Sequence, residues 1–157
     1  MAEPSYEIPR IPASAGALIY DSRDQLLILK PTYKKGWTIP GGQIDPGESP
    51  WEACRRETEE ECGLVLESAR LACVDFRPAG RQRPGGVRFL FDCGKFSDDV
   101  LGEIRLQEEE IEEHRFAELG EALLLLSAPV RRRVMEAAGR DHTVYLEDGR
   151  LVPGVDA

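Results

Sequence analysis

The sequence predicts one mixed α/β (α+β) domain, and three observations carry that prediction. Short apolar runs separated by turn signals recur along most of the chain. One helix, over residues 50–62, is marked at both ends by capping residues. Two further helical patches fall late, at 118–126 and 129–138. Strands interleaved with few helices fit a sheet covered by helices. With 157 residues the chain is long enough for a single domain with a real core. Its 41% hydrophobic and 31% charged residues are those of a soluble globular protein.

Taken in order, residues 1–12 carry Pro4, Pro9 and Pro12 and read as an extended arm ahead of a domain over 13–157. Residues 13–20 are small and apolar and predict a strand. Asp21-Ser22-Arg23-Asp24 is turn-like, and 25–30 predicts the second strand of a hairpin. Tyr33, Lys34 and Lys35 sit in a loop before Trp37, and residues 37–39 predict a short strand leading into Gly41 and Gly42. Glycines there let the backbone approach a ligand closely.

Residues 42–64, GQIDPGESPWEACRRETEEECGL, are the most informative stretch. Ser49 is an N-cap, Pro50 takes the first helical position, Glu52 completes a capping box and Gly63 stands at the C-terminal end. At about 100° per residue, Trp51, Cys54, Thr58 and Cys62 share the side that would pack on a core. Glu57 and Glu61 lie one turn apart at its edge, flanked by Glu60. Like charges at this spacing repel. A divalent cation with oxygen ligands would relieve the repulsion.

Beyond the helix, residues 64–77 predict a strand with an irregular middle, 78–86 a loop and 87–93 a strand. Residues 98–102 are turn-like, 103–110 are acidic, and 111–117 predict a strand. The helical patches follow. Residues 143–146 and 151–152 predict a hairpin around Asp148-Gly149, a pair that favours tight turns.

Gly42, Glu48, Arg56, Glu57, Thr58, Glu60, Glu61, Gly63 and Leu64 stand at the spacing GX5EX7REUXEEXGU, where U is bulky or apolar. This resembles the signature of the Nudix hydrolases at every specified position, with Thr58 the mildest fit. The resemblance covers 23 residues, and the lead-in Gly36-Trp37-Thr38-Ile39-Pro40-Gly41 is usual for the family. It implies the Nudix fold, a mixed sheet sandwiched between helices. It also implies metal-dependent hydrolysis of the diphosphate linkage in a nucleoside diphosphate joined to another moiety. The alternative is a Nudix domain that binds a nucleotide or sugar nucleotide as a sensor without turnover. A sensor has no need of the metal carboxylates, all of which are present.

On this reading Glu57 and Glu61 are direct metal ligands, Glu60 is a further ligand with a catalytic role, and Gly42 offers its carbonyl, as the family's first motif glycine commonly does. Mg²⁺ suits carboxylates together with phosphate oxygens, and Mn²⁺ meets the same preference. Arg56 would orient Glu48 or Glu57 through a charge-assisted bond. The water needs a general base. Glu110, at the entry to the strand at 111–117, is the first choice and Glu109 the second. His114 and His142 read as structural.

Substrate recognition is less sharply marked. Arg77, Arg81, Arg83 and Arg88 gather around a Pro/Gly-bounded loop and are candidates to clamp phosphates; a solvated surface loop is the competing reading. Pro78 resembles a spacing found in ADP-ribose pyrophosphatases, and the tyrosine that marks dinucleoside-polyphosphate hydrolases is absent. Tyr20, Tyr33, Phe76 and Phe89 are candidates to stack on a base. Arg131-Arg132-Arg133 reads as a solvated helix face.

The net charge of −9 disfavours a long nucleic acid as partner unless a local basic patch overcomes it. The four cysteines, Cys54, Cys62, Cys73 and Cys93, form no zinc spacing and read as reduced, packed thiols of a cytoplasmic protein. No apolar run is long enough to span a membrane, and the first residues lack a signal-peptide core. A homodimer is left open.

Overall fold

The computed structural model describes residues 7–155. Of the expected arm, residues 1–6 lie outside the described residues. Strand β1 (Ala13–Tyr20) is the centre of the molecule. It pairs antiparallel with β2 (Leu26–Pro31) and with the short β3 (Gly41–Gln43), and parallel with β5 (Gly86–Lys95). Outward from β5 come β4 (Arg70–Arg77), β7 (Val144–Glu147) and β8 (Arg150–Leu151). Beyond β2 lies β6 (Ile111–Ala117). The pairs β1–β5 and β4–β7 are parallel and the others antiparallel, so the sheet is mixed.

Two apolar layers cover it, one on each face. Helix α1 (Pro50–Cys62) buries Ala53, Cys54 and Cys62 against Ala15, Ala17 and Ile19 of β1. The opposite face, with Leu18, Leu26, Ile28 and Leu90, is closed by α3 (Leu119–Leu125) and α4 (Ala128–Ala137) through Ala122, Val134 and Ala137. Alternation along β1 produces this division, because successive side chains of a strand point to opposite faces. A short helix, α2 (Asp98–Leu101), replaces the turn expected at 98–102. Ser97 caps it by accepting from the Val100 N–H, and Leu101 is buried beneath it.

Helix α1 is bounded as its residues dictate. The Ser49 hydroxyl accepts from the Glu52 N–H, Glu52 reaches back to Ser49, and Gly63 adopts φ 73° with its N–H on the Glu59 carbonyl. Ser49 and the box together satisfy orphan N–H groups at the helix start. The buried side is Ala53, Cys54, Thr58, Glu61 and Cys62, with Trp51 half-buried.

Two strand expectations and one helix-face expectation are corrected. The chain over 37–39 makes only isolated bridges, Leu29 with Thr38 and Trp37 with Leu126, and the paired strand begins later, at Gly41. Residues 64–69 form no strand; Leu64 and Leu66 are buried as plugs beneath α1 before β4 begins at Arg70. The stretch 131–133 is only in part a solvated face: Arg131 is exposed, but Arg133 is buried and paired with Asp75. All four cysteines are free thiols.

Candidate active site

The site forms where α1 packs along β3. The Gly41 N–H donates to Glu61 Oε1 at 2.9 Å. Beside it, a Cβ at Gly42 would stand 2.5 Å from the Glu57 carboxyl carbon, so only glycine lets that carboxylate lie against the strand. Gly41 has φ 150°, and a Cβ there would meet the Ala15 carbonyl oxygen at 2.3 Å. Gly42 thus serves close packing of a carboxylate on backbone, and Gly41 the close approach of β3 to β1.

Arg56 organises the rest. Its Nε donates to Glu48 Oε2 at 2.7 Å and its Nη2 to Glu48 Oε1 at 3.0 Å. This is the two-pronged contact that a planar guanidinium makes with a carboxylate. Nη1 donates to Glu57 at 2.8 Å and to Glu60 at 3.3 Å, and Nη2 also reaches the Gln43 carbonyl at 3.1 Å. Arg56 therefore orients both Glu48 and Glu57, and ties α1 to β3. Its bond to Glu48 holds the guanidinium charged above its ordinary range, and the same bond holds the Glu48 carboxyl below the usual carboxylate range.

Glu61 differs from its neighbours. It is 4% exposed. Burial pushes its carboxyl up to about 8, against the Gly41 bond, and the charges of Glu57, Glu110 and Glu60 add to the rise. Burial also raises Glu57, with Arg56 opposing. Glu110 sits at the rim, where the 107–110 turn is pinned by its carbonyl accepting from the Thr32 N–H at 2.9 Å. Its charge acts on Glu57, Glu61 and the Tyr33 phenol. Among the described residues no three acidic, histidine or cysteine side chains converge on one point. Arg56 draws Glu57 and Glu60 toward itself, while Gly41 holds Glu61. The donor set fits a hard divalent cation in charge and in ligand type. Convergence would require Glu57 and Glu60 to turn away from Arg56.

A cleft of about 290 Å³ opens beside Glu61. It is lined by Ser14, Gly16, Tyr33, Lys34, the segment from Thr38 to Gly42, Arg77, Arg88, Phe89, Ser127 and Arg133. Arg81 and Arg83 are exposed on the 78–85 loop and do not line it. Of the aromatic candidates, Tyr33 and Phe89 line the cleft; Tyr20 and Phe76 do not. His114 packs edge-on to Phe116, and His142 bonds Asp141. Arg133 gave no functional signal in the sequence. Its neighbours Arg131 and Arg132 mask it, and only the turn of α4 separates it from them.

The chain matches the NUDIX domain family over residues 10–138. It belongs to that family. The match covers β1 to β6, α1 and both helices of the opposite face, and the fold is the Nudix fold. A curated relative is the human 8-oxo-dGDP phosphatase NUDT18, 33% identical over 78 residues, which are 48% of this chain and 23% of that protein. Another is the RNA pyrophosphohydrolase of Acidiphilium cryptum (strain JF-5), 28% identical over 82% of this chain and 88% of that one. Among solved structures, the MutT protein from Methanosarcina mazei Go1 superposes with a TM-score of 0.66 at 26% identity, over 81% of this chain and 91% of that one. The chain spans less than a third of the length of the NUDT18 relatives from three organisms that it matches, 23% to 30%. Among the described residues no helix is long and apolar enough to cross a membrane.

Proposed function

We propose that this Nudix domain hydrolyses the diphosphate linkage of a nucleoside diphosphate joined to another moiety, by attack of water at phosphorus. The observation that carries this reading is the packing of Glu57 and Glu61 against the Gly41-Gly42 backbone, with Arg56 fixing Glu48 beside them. A stable acidic helix has no need to bury a carboxylate, because an uncompensated buried charge is costly. Relatives with diphosphate-cleaving names, among them the 8-oxo-dGDP phosphatase and the RNA pyrophosphohydrolase, support the same class.

Glu57, Glu60 and Glu61, with the Gly42 carbonyl, would hold Mg²⁺ or Mn²⁺. A divalent ion there supplies neutralisation of the phosphate oxygens, so that a nucleophile can approach. Arg56 keeps Glu48 ionised and fixed, which sets the position of the loop entering α1. Glu110, exposed at the rim, accepts the proton of the attacking water; Glu109 is the alternative base. Tyr33 and Phe89 border the cleft where the nucleoside would lie.

The deciding experiment is a Mg²⁺-dependent turnover panel of nucleoside triphosphates, oxidised nucleotides, ADP-ribose, sugar nucleotides and dinucleoside polyphosphates, with products identified. Turnover of at least one member that is lost with EDTA is the expected result. Tight binding of a nucleotide with no turnover across the panel would sink the hydrolase reading in favour of a sensor.

A further inference from the structure

The end of the cleft remote from β3 holds more positive charge than the protein around it neutralises. Arg88 on β5, Arg77 on β4 and Arg133 on α4 all line the cleft. The carboxylate packed among them, Asp75, is already committed. Its Oδ2 accepts from Arg133 Nε at 2.8 Å and its Oδ1 from the Gly149 N–H at 2.9 Å. Among the described residues, neither Arg77 nor Arg88 has a side-chain hydrogen bond or ion-pair partner, and Arg77 Nε is buried without an acceptor. A buried donor left unmade is costly, and an arginine cannot escape by losing its proton. Burial and then the neighbouring guanidiniums, Arg83 and Arg133 on Arg77 and Arg133 and Arg77 on Arg88, weigh against both charges. In a chain of net charge −9, such a cluster is poorly explained by solubility.

Its place in the sheet separates it from the carboxylates. Gln43, Ser14, Arg88 and Asp75 are register partners across β3, β1, β5 and β4. Arg88 is thus two strand spacings from β3 and Arg77 three, roughly 10 and 14 Å between backbones. Arg88 also alternates with Leu90 on the α4 face, whereas α1 covers the other face. One diphosphate group lying on the α1 carboxylates would not also fill this corner. A neutral base or sugar would leave the charge unanswered. Several guanidiniums with free donors match the oxygens and charge of a phosphate.

We propose that this corner is a second anion subsite, where Arg77, Arg88 and Arg133 bind a phosphate group of the substrate other than the diphosphate that is cut. The substrate class is then a diphosphate carrying a further phosphate at its far end. Calling the ligand a part of the substrate rests on the hydrolase reading; the subsite itself does not. Arg81 and Arg83 do not line the cleft, although the Arg83 charge acts on Arg77.

The test is calorimetric titration of inorganic phosphate into metal-free protein in EDTA, with thermal melts to check folding. The parent is expected to bind one phosphate. Arg77→Gln and Arg88→Gln, on different strands, should each weaken binding by about tenfold or more, the equivalent of about 1.4 kcal/mol, while Glu57→Gln and Arg81→Gln keep it. Either folded arginine variant suffices. No binding by the parent, or binding indifferent to both substitutions, overturns the subsite. A second arm compares turnover of ADP-ribose with that of its 2′-phosphate and 1″-phosphate. A preference for a phosphorylated form that disappears in Arg88→Gln supports the proposal, and equal turnover of all three counts against it. Phosphate binding without turnover of any nucleotide would keep the subsite and remove the hydrolase reading.

Discussion

Arg133 of α4 and Asp75 of β4 form an ion pair of 2.8 Å, with side chains 8% and 1% exposed. The pair ties α4 to the sheet and holds one wall of the cleft. Removing one partner of a buried pair strands the other charge, at a typical cost of roughly 3–5 kcal/mol. Asp75→Ala should lose about that much, and more than Asp75→Leu combined with Arg133→Met, which removes both charges. Chemical denaturation of the three proteins at neutral pH measures the difference. Equal losses would show that the pair contributes little beyond its packing volume.

A second prediction follows from Glu61. Its folded carboxyl is raised from 4.5 to about 8 by burial. Below the lower value both states hold the proton. Between the two values the unfolded chain releases it while the folded protein keeps it. The metal-free protein should therefore lose stability as pH rises through this window, by an amount on the order of a few kcal/mol. Denaturation in EDTA at pH 5, 6.5 and 8 checks the slope. Glu61→Gln keeps an acceptor for the Gly41 N–H and should flatten it, making that variant the more stable one at pH 8. An unchanged slope would mean that another group titrates.

Catalysis and stability should separate at Glu57. Glu57→Gln removes a charge that would hold the cation and weakens one of several bonds to Arg56. Its Mg²⁺-dependent turnover on the best panel substrate should fall roughly 10²-fold or more, the scale of losing one electrostatic stabiliser. Its melting temperature without metal should stay close to the parent's. Near-parental turnover would remove Glu57 from the ligand set.

Arg56→Lys tests the fork. A lysine keeps the charge but cannot bond both oxygens of Glu48 in one plane. With the side chain partly exposed, a stability cost of only about 1 kcal/mol is expected, whereas kcat should drop by about tenfold or more as the motif carboxylates lose their fixed geometry. A kcat equal to the parent's with a raised KM would instead make Arg56 a direct substrate contact.

Much of this protein is determined locally and was legible in the chain. The capping box at Ser49 and Glu52, the left-handed Gly63 and the 3.6-residue spacing of Cys54, Thr58 and Cys62 bound α1 and orient it without reference to distant residues. The strand over Ile111–Ala117 was equally plain from its own pattern. A bond from Arg56 to Glu48 or Glu57 was expected because all three lie within one loop and helix, and Arg56 bonds both. What tertiary structure decided were the meetings of residues far apart in sequence. Packing against β3 made Glu61, and not its motif neighbour Glu60, the buried carboxylate. The register of β1 with β5, and of β5 with β4, selected Arg77 and Arg88 for the cleft and left Arg81 and Arg83 in solvent. Arg133 joined them because a single position on α4 faces Asp75 across 58 residues. Local propensity acts over a helical turn or a strand pair, so it fixes elements and their caps. Which charges end up buried, and against what, depends on strand order and helix docking, and these are set only when the whole chain is folded.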